Sequence, residues 1–207
     1  MIAHIVCGSP NAWIPDNLSG MIIGVDRGAL YLIEKNIQFD IVVGDFDSVN
    51  ANEFSLIKEK SKKLIKLPCN KDLTDCEAAV DYSFEQGYDE IYLYGTTGHR
   101  FDHQYATLGL MLKYAKQGIK ICAVDKKNKI QILPPGNHLL AKDGKKYISF
   151  FAFSGLVENL SLSGMKYPLV GFDLTADNGL CISNEMQGLQ AQVSFEQGFL
   201  LVIQSSD

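Results

Sequence analysis

Residues 39–48, FDIVVGDFDS, contain the pattern that decides the fold of the first half of the chain. Apart from Asp40, the run 39–43 is apolar rather than alternating, which predicts a strand covered on both faces, as in a parallel sheet. Gly44 then opens a turn that carries Asp45 and Asp47. In an extended chain the i, i+2 spacing puts these two carboxylates on one side.

Similar apolar runs lie on both sides of this stretch, and helix-period segments separate them. This alternation predicts βαβ units and a parallel sheet. In the last helical segment Tyr105, Leu108, Leu112 and Ala115 form the apolar stripe that predicts its buried face. The predicted strands are 2–7, 21–25, 39–43, 64–67, 90–94 and 120–124, and the predicted helices are 29–35, 53–60, 75–84 and 102–116.

The pattern changes after residue 126, where predicted strands follow one another without helices. Residues 189–196 alternate between apolar and polar side chains, which predicts a half-buried strand. Gln197 and Gly198 predict a tight hairpin turn before the strand 199–203. Further strands are predicted at 147–153, 157–162 and 179–183. We therefore predict an α/β domain over 1–126 and a small all-β domain over 127–207.

Composition excludes several classes of partner. The 207 residues are 46% hydrophobic and carry a net charge of −5, which argues against tracking of nucleic-acid phosphates and against a basic membrane-surface helix. No apolar run approaches the roughly 18 residues of a spanning helix.

The five cysteines include no Cys-x-x-Cys pair, so we expect reduced thiols in a cytoplasmic protein.

Carboxylates follow four consecutive predicted strands. Because ligands bind in the crevice beyond the carboxyl ends of an open α/β sheet, we expect these side chains to share one edge. Like charges gathered there repel one another unless a cation lies among them, and Mg²⁺ prefers carboxylate and phosphate oxygens. The sequence therefore predicts a Mg²⁺–polyphosphate site. Its carboxylates are Asp26, Asp45, Asp47, Asp72, Asp75 and Asp102.

Each of these residues also has a structural interpretation. Residues 44–48 suit a capped turn, Thr74 and Glu77 fit a capping box, and Asp102 suits a helix N-terminus. Asp26 suits an ordinary strand end, and His103 a satisfied structural histidine. The basic residues of the same loops either meet phosphates or balance the carboxylates; they are Arg27, Lys71 and Arg100. Because the glycine motifs of the common nucleotide folds are absent from the sequence, phosphates would be held mainly by metal and side chains.

Taken in order, six motifs resemble those of the thiamine pyrophosphokinases, and the resemblance covers essentially the whole chain. The motifs are Gly24-Val25-Asp26-Arg27-Gly28, Gly44-Asp45-Phe46-Asp47-Ser48, Lys71-Asp72-x-Thr74-Asp75, Gly95-x-x-Gly98-x-Arg100-x-Asp102-His103, Gly164-Met165-Lys166-Tyr167-Pro168-Leu169 and Ile182-Ser183-Asn184-Glu185.

The resemblance implies a Rossmann-like parallel-sheet N-terminal domain and a C-terminal all-β sandwich domain. It implies a homodimer whose active sites lie at the subunit interface, and Mg²⁺-dependent transfer of the pyrophosphoryl group of ATP to thiamine. The implied catalytic residues are Asp45, Asp47, Asp75, Arg100 and Asp102, of which Asp45, Asp47 and Asp75 hold the metal. The implied ATP-binding residues are Asp26, Arg27, Lys71, Asp72, Thr74, Arg100, Asp102 and His103. The implied thiamine-binding residues are Ser183 and Asn184.

Several points stay open at this level. Many family members carry glycine where this chain has His99, and a side chain there either limits approach to the phosphates or reaches them. Either Asp75 or Asp102 is a candidate proton acceptor, and Trp13 and Tyr167 are candidate aromatic walls for the thiazolium cation. Two alternative functions remain, a metal-dependent nucleotide-sugar transferase, suggested by Asp45-x-Asp47, and a non-catalytic nucleotide- or thiamine-binding protein.

Overall fold

The computed structural model describes residues 1–10, 12–68, 73–98 and 100–207. The chain forms two compact units. The first comprises Met1–Leu110 and Ile119–Asp125, and the second comprises Met111–Gly118 and Lys126–Asp207. The predicted strand and helix positions of the first half are confirmed to within two residues at each end.

The first unit contains six strands, every adjacent pair of which is parallel. Their order is β4-β3-β2-β1-β5-β6, so the direction of winding reverses between β1 and β5. In open α/β sheets such a reversal marks the ligand-binding crevice. The strands are β1 (Ile2–Val6), β2 (Met21–Val25), β3 (Ile41–Gly44), β4 (Lys63–Lys66), β5 (Glu90–Tyr94) and β6 (Lys120–Val124).

Helices follow four of these strands. They are α1 (Gly28–Glu34), α2 (Ala51–Lys60), α3 (Asp75–Glu85) and α4 (Phe101–Ala115). Helix α2 begins earlier than predicted because Asn50 caps it: the Asn50 side chain accepts from Glu53 N, and the Glu53 side chain accepts from Asn50 N. Helix α4 contributes its first ten residues to the first unit.

The buried face predicted for α4 is correct at Ala115, which is buried, and wrong at Tyr105. Tyr105 is 62% exposed, whereas Leu110, Met111 and Tyr114 are buried. The apolar residues of α4 surround much of the helix, since Phe101 and Tyr105 are also apolar and exposed. The apolar positions alone therefore do not identify which face of the helix is buried.

The second unit is built from antiparallel strands. One group has the order β7-β13-β9 and the other the order β11-β10-β12-β8. Side chains from both groups share one buried cluster. The strands are β7 (Asn128–Leu133), β8 (Gly136–Ala141), β9 (Tyr147–Ala152), β10 (Leu156–Ser163), β11 (Leu169–Thr175), β12 (Gln190–Phe195) and β13 (Leu200–Ser205).

The alternation predicted for 189–196 is confirmed within β12, because Ala191, Val193 and Phe195 are buried while Gln190 and Gln192 are exposed. Leu189 lies outside the strand and is exposed. Sequence analysis missed three strands, which are β7, β8 and β11.

Two predictions about this unit are wrong. Residues 179–183 form turns rather than a strand. The Gln197–Gly198 turn closes no hairpin, because β12 and β13 belong to different sheets. A tight turn between consecutive strands can have the same local sequence whether the strands pair as a hairpin or belong to different sheets. The pairing of the two strands with the rest of the sheet decides which of the two forms. Among the described residues, no helix is both long and apolar enough to cross a membrane.

Gly198 lies in the turn at which the chain passes from one sheet to the other, and its substitution tests how closely that turn packs. It has φ +89°, and an added Cβ would lie 2.1 Å from the Leu156 carbonyl oxygen. Gly144, with φ +87° and open space around it, is the matched control. We expect Gly144→Ala to cost about 1 kcal/mol of unfolding free energy, from backbone strain alone. Gly198→Ala should cost about 2 kcal/mol more, measured by chemical denaturation. Equal costs would contradict the close approach.

Candidate active site

A cleft of about 600 Å³ lies within the first unit, where the winding of the sheet reverses. The segments after β1, β2 and β5 line it, together with the first residues of α3 and α4. These segments are 7–10, 25–27, 74–77, 95–97, 100 and 102–103, with Ser48, Ala106, Thr107 and Leu110 completing the lining. The predicted convergence of strand-end loops is therefore present in the structure.

Three carboxylates converge at this sheet edge. Asp26 follows β2, Asp45 follows β3 and Asp75 is the first residue of α3. One carboxylate oxygen from each lies within 4.8 Å of the others, and all three residues are half-buried. Among the described residues this is the single group of three or more acidic, thiol or imidazole side chains at such distances.

Asp26 is held in place by its own backbone and by β3. It has φ +47°, a left-handed conformation that aspartate tolerates better than most residues. Its Oδ1 accepts a hydrogen bond from Phe46 N at 3.1 Å. A Cβ at position 44 would lie 1.8 Å from the same oxygen. Glycine at 44 therefore makes room for the Asp26 carboxylate.

The cluster brings three acidic side chains together in a half-buried place. Burial raises the pKa of Asp26 to about 7, and the neighbouring carboxylates, chiefly Asp75, add to the rise. The hydrogen bond from Phe46 N lowers the pKa of Asp26 and so offsets part of this rise. Such a site attracts a cation or a proton.

Asp47 lies outside this group although it is only two residues from Asp45. The intervening Phe46 has φ +63°, so the chain is not extended here. The Phe46 side chain is buried against Phe54, with ring centroids 5.0 Å apart. Asp47 is exposed, and its N–H donates to Asp45 Oδ1 at 3.1 Å. Its assignment as a metal ligand remains a prediction.

Arg100 and Asp102 form an exposed two-bond pair at the start of α4. Arg100 Nε and Nη2 lie 3.1 and 2.5 Å from the two Asp102 carboxylate oxygens. This pairing lowers the pKa of Asp102, which makes its carboxylate a weak proton acceptor. His103 lines the same cleft and is exposed.

Thr74 and Arg27 line the cleft and also have structural partners. Thr74 Oγ1 caps α3 by accepting from Glu77 N at 3.1 Å. Arg27 Nη1 donates to Ser48 O at 3.1 Å, which links the ends of two strand-end loops. The predicted ATP contacts Lys71 and Asp72, and His99, lie outside the described residues.

Two thiols at this cleft were not singled out by sequence analysis. Cys7 follows β1, Cys76 lies in the first turn of α3, and both line the cleft. A hydrogen bond with Cys76, together with burial, raises the pKa of the Cys7 thiol, so it is neutral. Because a lone cysteine at the end of an apolar run is typical of ordinary core packing, no sequence signal could have found this pair.

In the second unit the predicted thiamine residues Ser183 and Asn184 occupy different environments. Ser183 is exposed and has φ +57°. Asn184 is only 3% exposed. Its Oδ1 accepts from Tyr167 N and Glu185 N at 3.0 and 2.9 Å, and its Nδ2 donates to Tyr167 O at 2.7 Å. Asn184 therefore joins two surface segments, and Tyr167 is left 59% exposed beside it.

An acidic cleft at the switch point of a parallel sheet is typical of α/β enzymes that use nucleotides. Comparison with known proteins shows which family of this class the chain resembles. The family model for the thiamin pyrophosphokinase catalytic domain matches residues 17–123, and that for the thiamin pyrophosphokinase vitamin B1 binding domain matches residues 137–200.

Individual relatives agree with these matches. Thiamine pyrophosphokinase from Bacillus subtilis is 39% identical over 211 residues, which cover 99% of this chain and 98% of that protein. Its crystal structure superposes with a TM-score of 0.92 over the whole of both chains. A thiamin pyrophosphokinase family protein from Enterococcus faecalis gives 0.91 at 33% identity, again over both whole chains. The chain belongs to the thiamin pyrophosphokinase family.

Replacing Asp26 by Asn tests the repulsion within the cluster. Asn keeps the oxygen that accepts from Phe46 N and tolerates a positive φ, but it removes one of three mutually repelling charges. At pH 8 with a chelator present, we expect Asp26→Asn to raise the unfolding temperature by about 2–4 °C. The exposed Asp177→Asn is the control and should change it by less than about 1 °C. A lower unfolding temperature for Asp26→Asn would mean that the cluster is not under electrostatic strain.

Proposed function

We propose that this chain is a thiamine pyrophosphokinase, which transfers the pyrophosphoryl group of ATP to the hydroxyl of thiamine and yields thiamine diphosphate and AMP. The observation that carries the proposal is that family matches over both halves of the chain accompany an acidic cleft at the sheet switch point. The two alternatives, a nucleotide-sugar transferase and a non-catalytic binding protein, are not favoured by family membership.

The donor set of the cluster fits Mg²⁺. It consists of three carboxylates with no thiol or imidazole in the group, and hard oxygen donors suit a hard divalent cation. Asp26, Asp45 and Asp75 would hold the ion, and Asp47 is the nearest further carboxylate in sequence. When bound, Mg²⁺ offsets negative charge on the polyphosphate oxygens.

The remaining side chains of the cleft position the nucleotide. Arg27 and Arg100 supply planar, permanently charged donors that suit phosphate oxygens. Asp102 holds Arg100 through two hydrogen bonds and so fixes the direction of its guanidinium group. Catalysis of in-line displacement at phosphorus is mainly positioning and charge neutralisation, and these residues supply both. Thr74 and His103 complete the proposed contacts.

The reaction that these residues support is a displacement at the β-phosphorus of ATP. The thiamine oxygen forms a bond to that phosphorus while the bond to the oxygen of the AMP leaving group breaks. The hydroxyl proton passes to a carboxylate of the cleft or to water. Asp102 is disfavoured as the acceptor because both its oxygens already accept from Arg100.

Thiamine is proposed to meet the surface that Asn184 organises in the second unit. The exposed Ser183 and Tyr167 offer a hydroxyl and an aromatic face to a cationic ring. Asn184 itself is too buried and too fully bonded to be a direct contact in this conformation. We propose that Asn184 instead positions Ser183 and Tyr167.

Product analysis tests the proposed reaction directly. Incubation with ATP, Mg²⁺ and thiamine should give AMP and thiamine diphosphate in equal amounts, measured by chromatography. Asp45→Asn and Asp47→Asn should each lower kcat at least about 100-fold while the circular dichroism spectrum stays that of the wild type. Asp177→Asn is the control and should keep wild-type turnover.

Two outcomes would contradict the assignment. Formation of ADP would indicate ordinary phosphoryl transfer rather than pyrophosphoryl transfer. Near-normal turnover of Asp45→Asn with Mg²⁺ would refute the metal-binding part of the proposal.

We further propose a homodimer in which each active site combines the first unit of one subunit with the second unit of its partner. Large apolar side chains left exposed support an additional interface. Phe101 and Tyr105 expose 76% and 62% of their surface, and their rings lie 6.4 Å apart on the helix whose first turn lines the cleft. Val170 and Leu139 are exposed in the second unit.

Subunit complementation tests the shared site. Asp45→Asn impairs the first unit, and Asn184→Ala removes the hydrogen bonds that hold the Tyr167 segment in the second. If sites are shared, a mixed dimer contains one site with both defects and one with neither. Co-refolding the two variants in equal amounts should then restore about a quarter of wild-type activity, since half the dimers are mixed and half their sites are intact. Activity no greater than the mean of the two variants alone would contradict the shared site.

The cytoplasm is the proposed compartment. Free thiols are present at Cys7, Cys76 and Cys181, and free thiols suit a reducing environment.

A further inference from the structure

One buried polar atom of the cleft has no partner. Among the residues that the structure describes, Thr96 Oγ1 is the buried side-chain oxygen or nitrogen that makes no hydrogen bond. Buried hydroxyl groups in folded proteins are almost always paired, because an unpaired one loses its water without compensation. This atom therefore requires an explanation.

Hydrogen bonds hold the residues on either side of Thr96. Ser9 N donates to Gly95 O at 3.3 Å, and Ser9 Oγ donates to Thr97 O at 3.2 Å. On the other side of the turn, Thr97 Oγ1 donates to Asp125 Oδ2 at 2.5 Å. The turn after β5 is thus anchored at both of Thr96's neighbours, whereas the Thr96 hydroxyl has no hydrogen-bond partner.

The position of Thr96 favours an anionic ligand. Thr96 lines the cleft and is itself only partly buried. Helix α4 begins at Phe101, five residues further on, and Arg100 lies between them in the lining of the same cleft. The positive end of a helix and a guanidinium group both attract phosphate oxygens. Rotation about the Thr96 Cα–Cβ bond moves its hydroxyl between staggered positions.

We propose that the Thr96 hydroxyl donates a hydrogen bond to a phosphate oxygen of the nucleotide, and that the free enzyme keeps this donor unpaired until ATP binds. The inference rests on the proposed function and adds to it a binding residue in the turn after β5. Removing the hydroxyl should weaken nucleotide binding without weakening the free protein, whereas a structural hydroxyl would do the opposite.

The test compares Thr96→Val, which replaces the hydroxyl by a methyl group of similar size, with Thr96→Ser, which keeps it. ATP binding is measured by titration calorimetry with Mg²⁺ and without thiamine. We expect Thr96→Val to weaken ATP binding by about 10- to 100-fold, the usual effect of losing a hydrogen bond to a charged group. Thr96→Ser should restore the affinity to within about threefold.

Thermal unfolding without ligands supplies the second readout. Thr96→Val should unfold at or above the wild-type temperature, because it removes an unpaired buried hydroxyl. Thr97→Val is the contrasting variant, since it breaks the hydrogen bond to Asp125 and should unfold at a lower temperature. The KM for thiamine should be unchanged in Thr96→Val, while the KM for ATP rises.

Three outcomes would overturn the inference. These are wild-type ATP affinity in Thr96→Val, a parallel loss of affinity and unfolding temperature, and an equal loss of affinity for adenosine, which would assign the hydroxyl to the nucleoside. A wild-type protein that forms no thiamine diphosphate would instead refute the proposed function. The two failures are therefore distinguishable.

Discussion

Mutual repulsion among Asp26, Asp45 and Asp75 is the constraint on which the site depends. Three half-buried carboxylates with oxygens within 4.8 Å of one another are costly without a counter-charge. The parallel sheet supports this arrangement because it delivers strand ends to one edge, and because Phe46 fixes the loop after β3 in the core. Under the proposed function, binding of Mg²⁺ would relieve this repulsion.

The second unit places its candidate site by different means. No acidic cluster was found there among the described residues, and the organising group is a neutral carboxamide. The side chain of Asn184 forms three hydrogen bonds to backbone groups of neighbouring segments, which holds exposed side chains in register at modest electrostatic cost. Under the proposed function, the anionic substrate would meet the acidic cleft through Mg²⁺, and the cationic one would meet the second unit.

Much of the first unit was predictable from sequence because its strands are continuous apolar runs between clear turns. The three acidic residues of the cluster were also predictable, since each directly follows a strand or starts a helix. The exclusion of Asp47 from the cluster was not predictable, because it depends on the left-handed conformation of Phe46, which separates Asp47 from Asp45. In the second unit Gln197–Gly198 fits a hairpin locally, and only long-range pairing assigns its strands to different sheets. Similarly, the lack of a partner for the Thr96 hydroxyl depends on how the segments after β1, β5 and β6 pack together.

The contact between position 44 and Asp26 has a consequence for how the site can vary. A side chain at 44 would occupy the space of the Asp26 carboxylate, so the two positions are not independent. In a library that randomises both, larger residues at 44 would survive for folding only with a smaller partner at 26, and those survivors would lack an acid of the cluster. Screens for solubility and screens for turnover would consequently select different sequences at this pair.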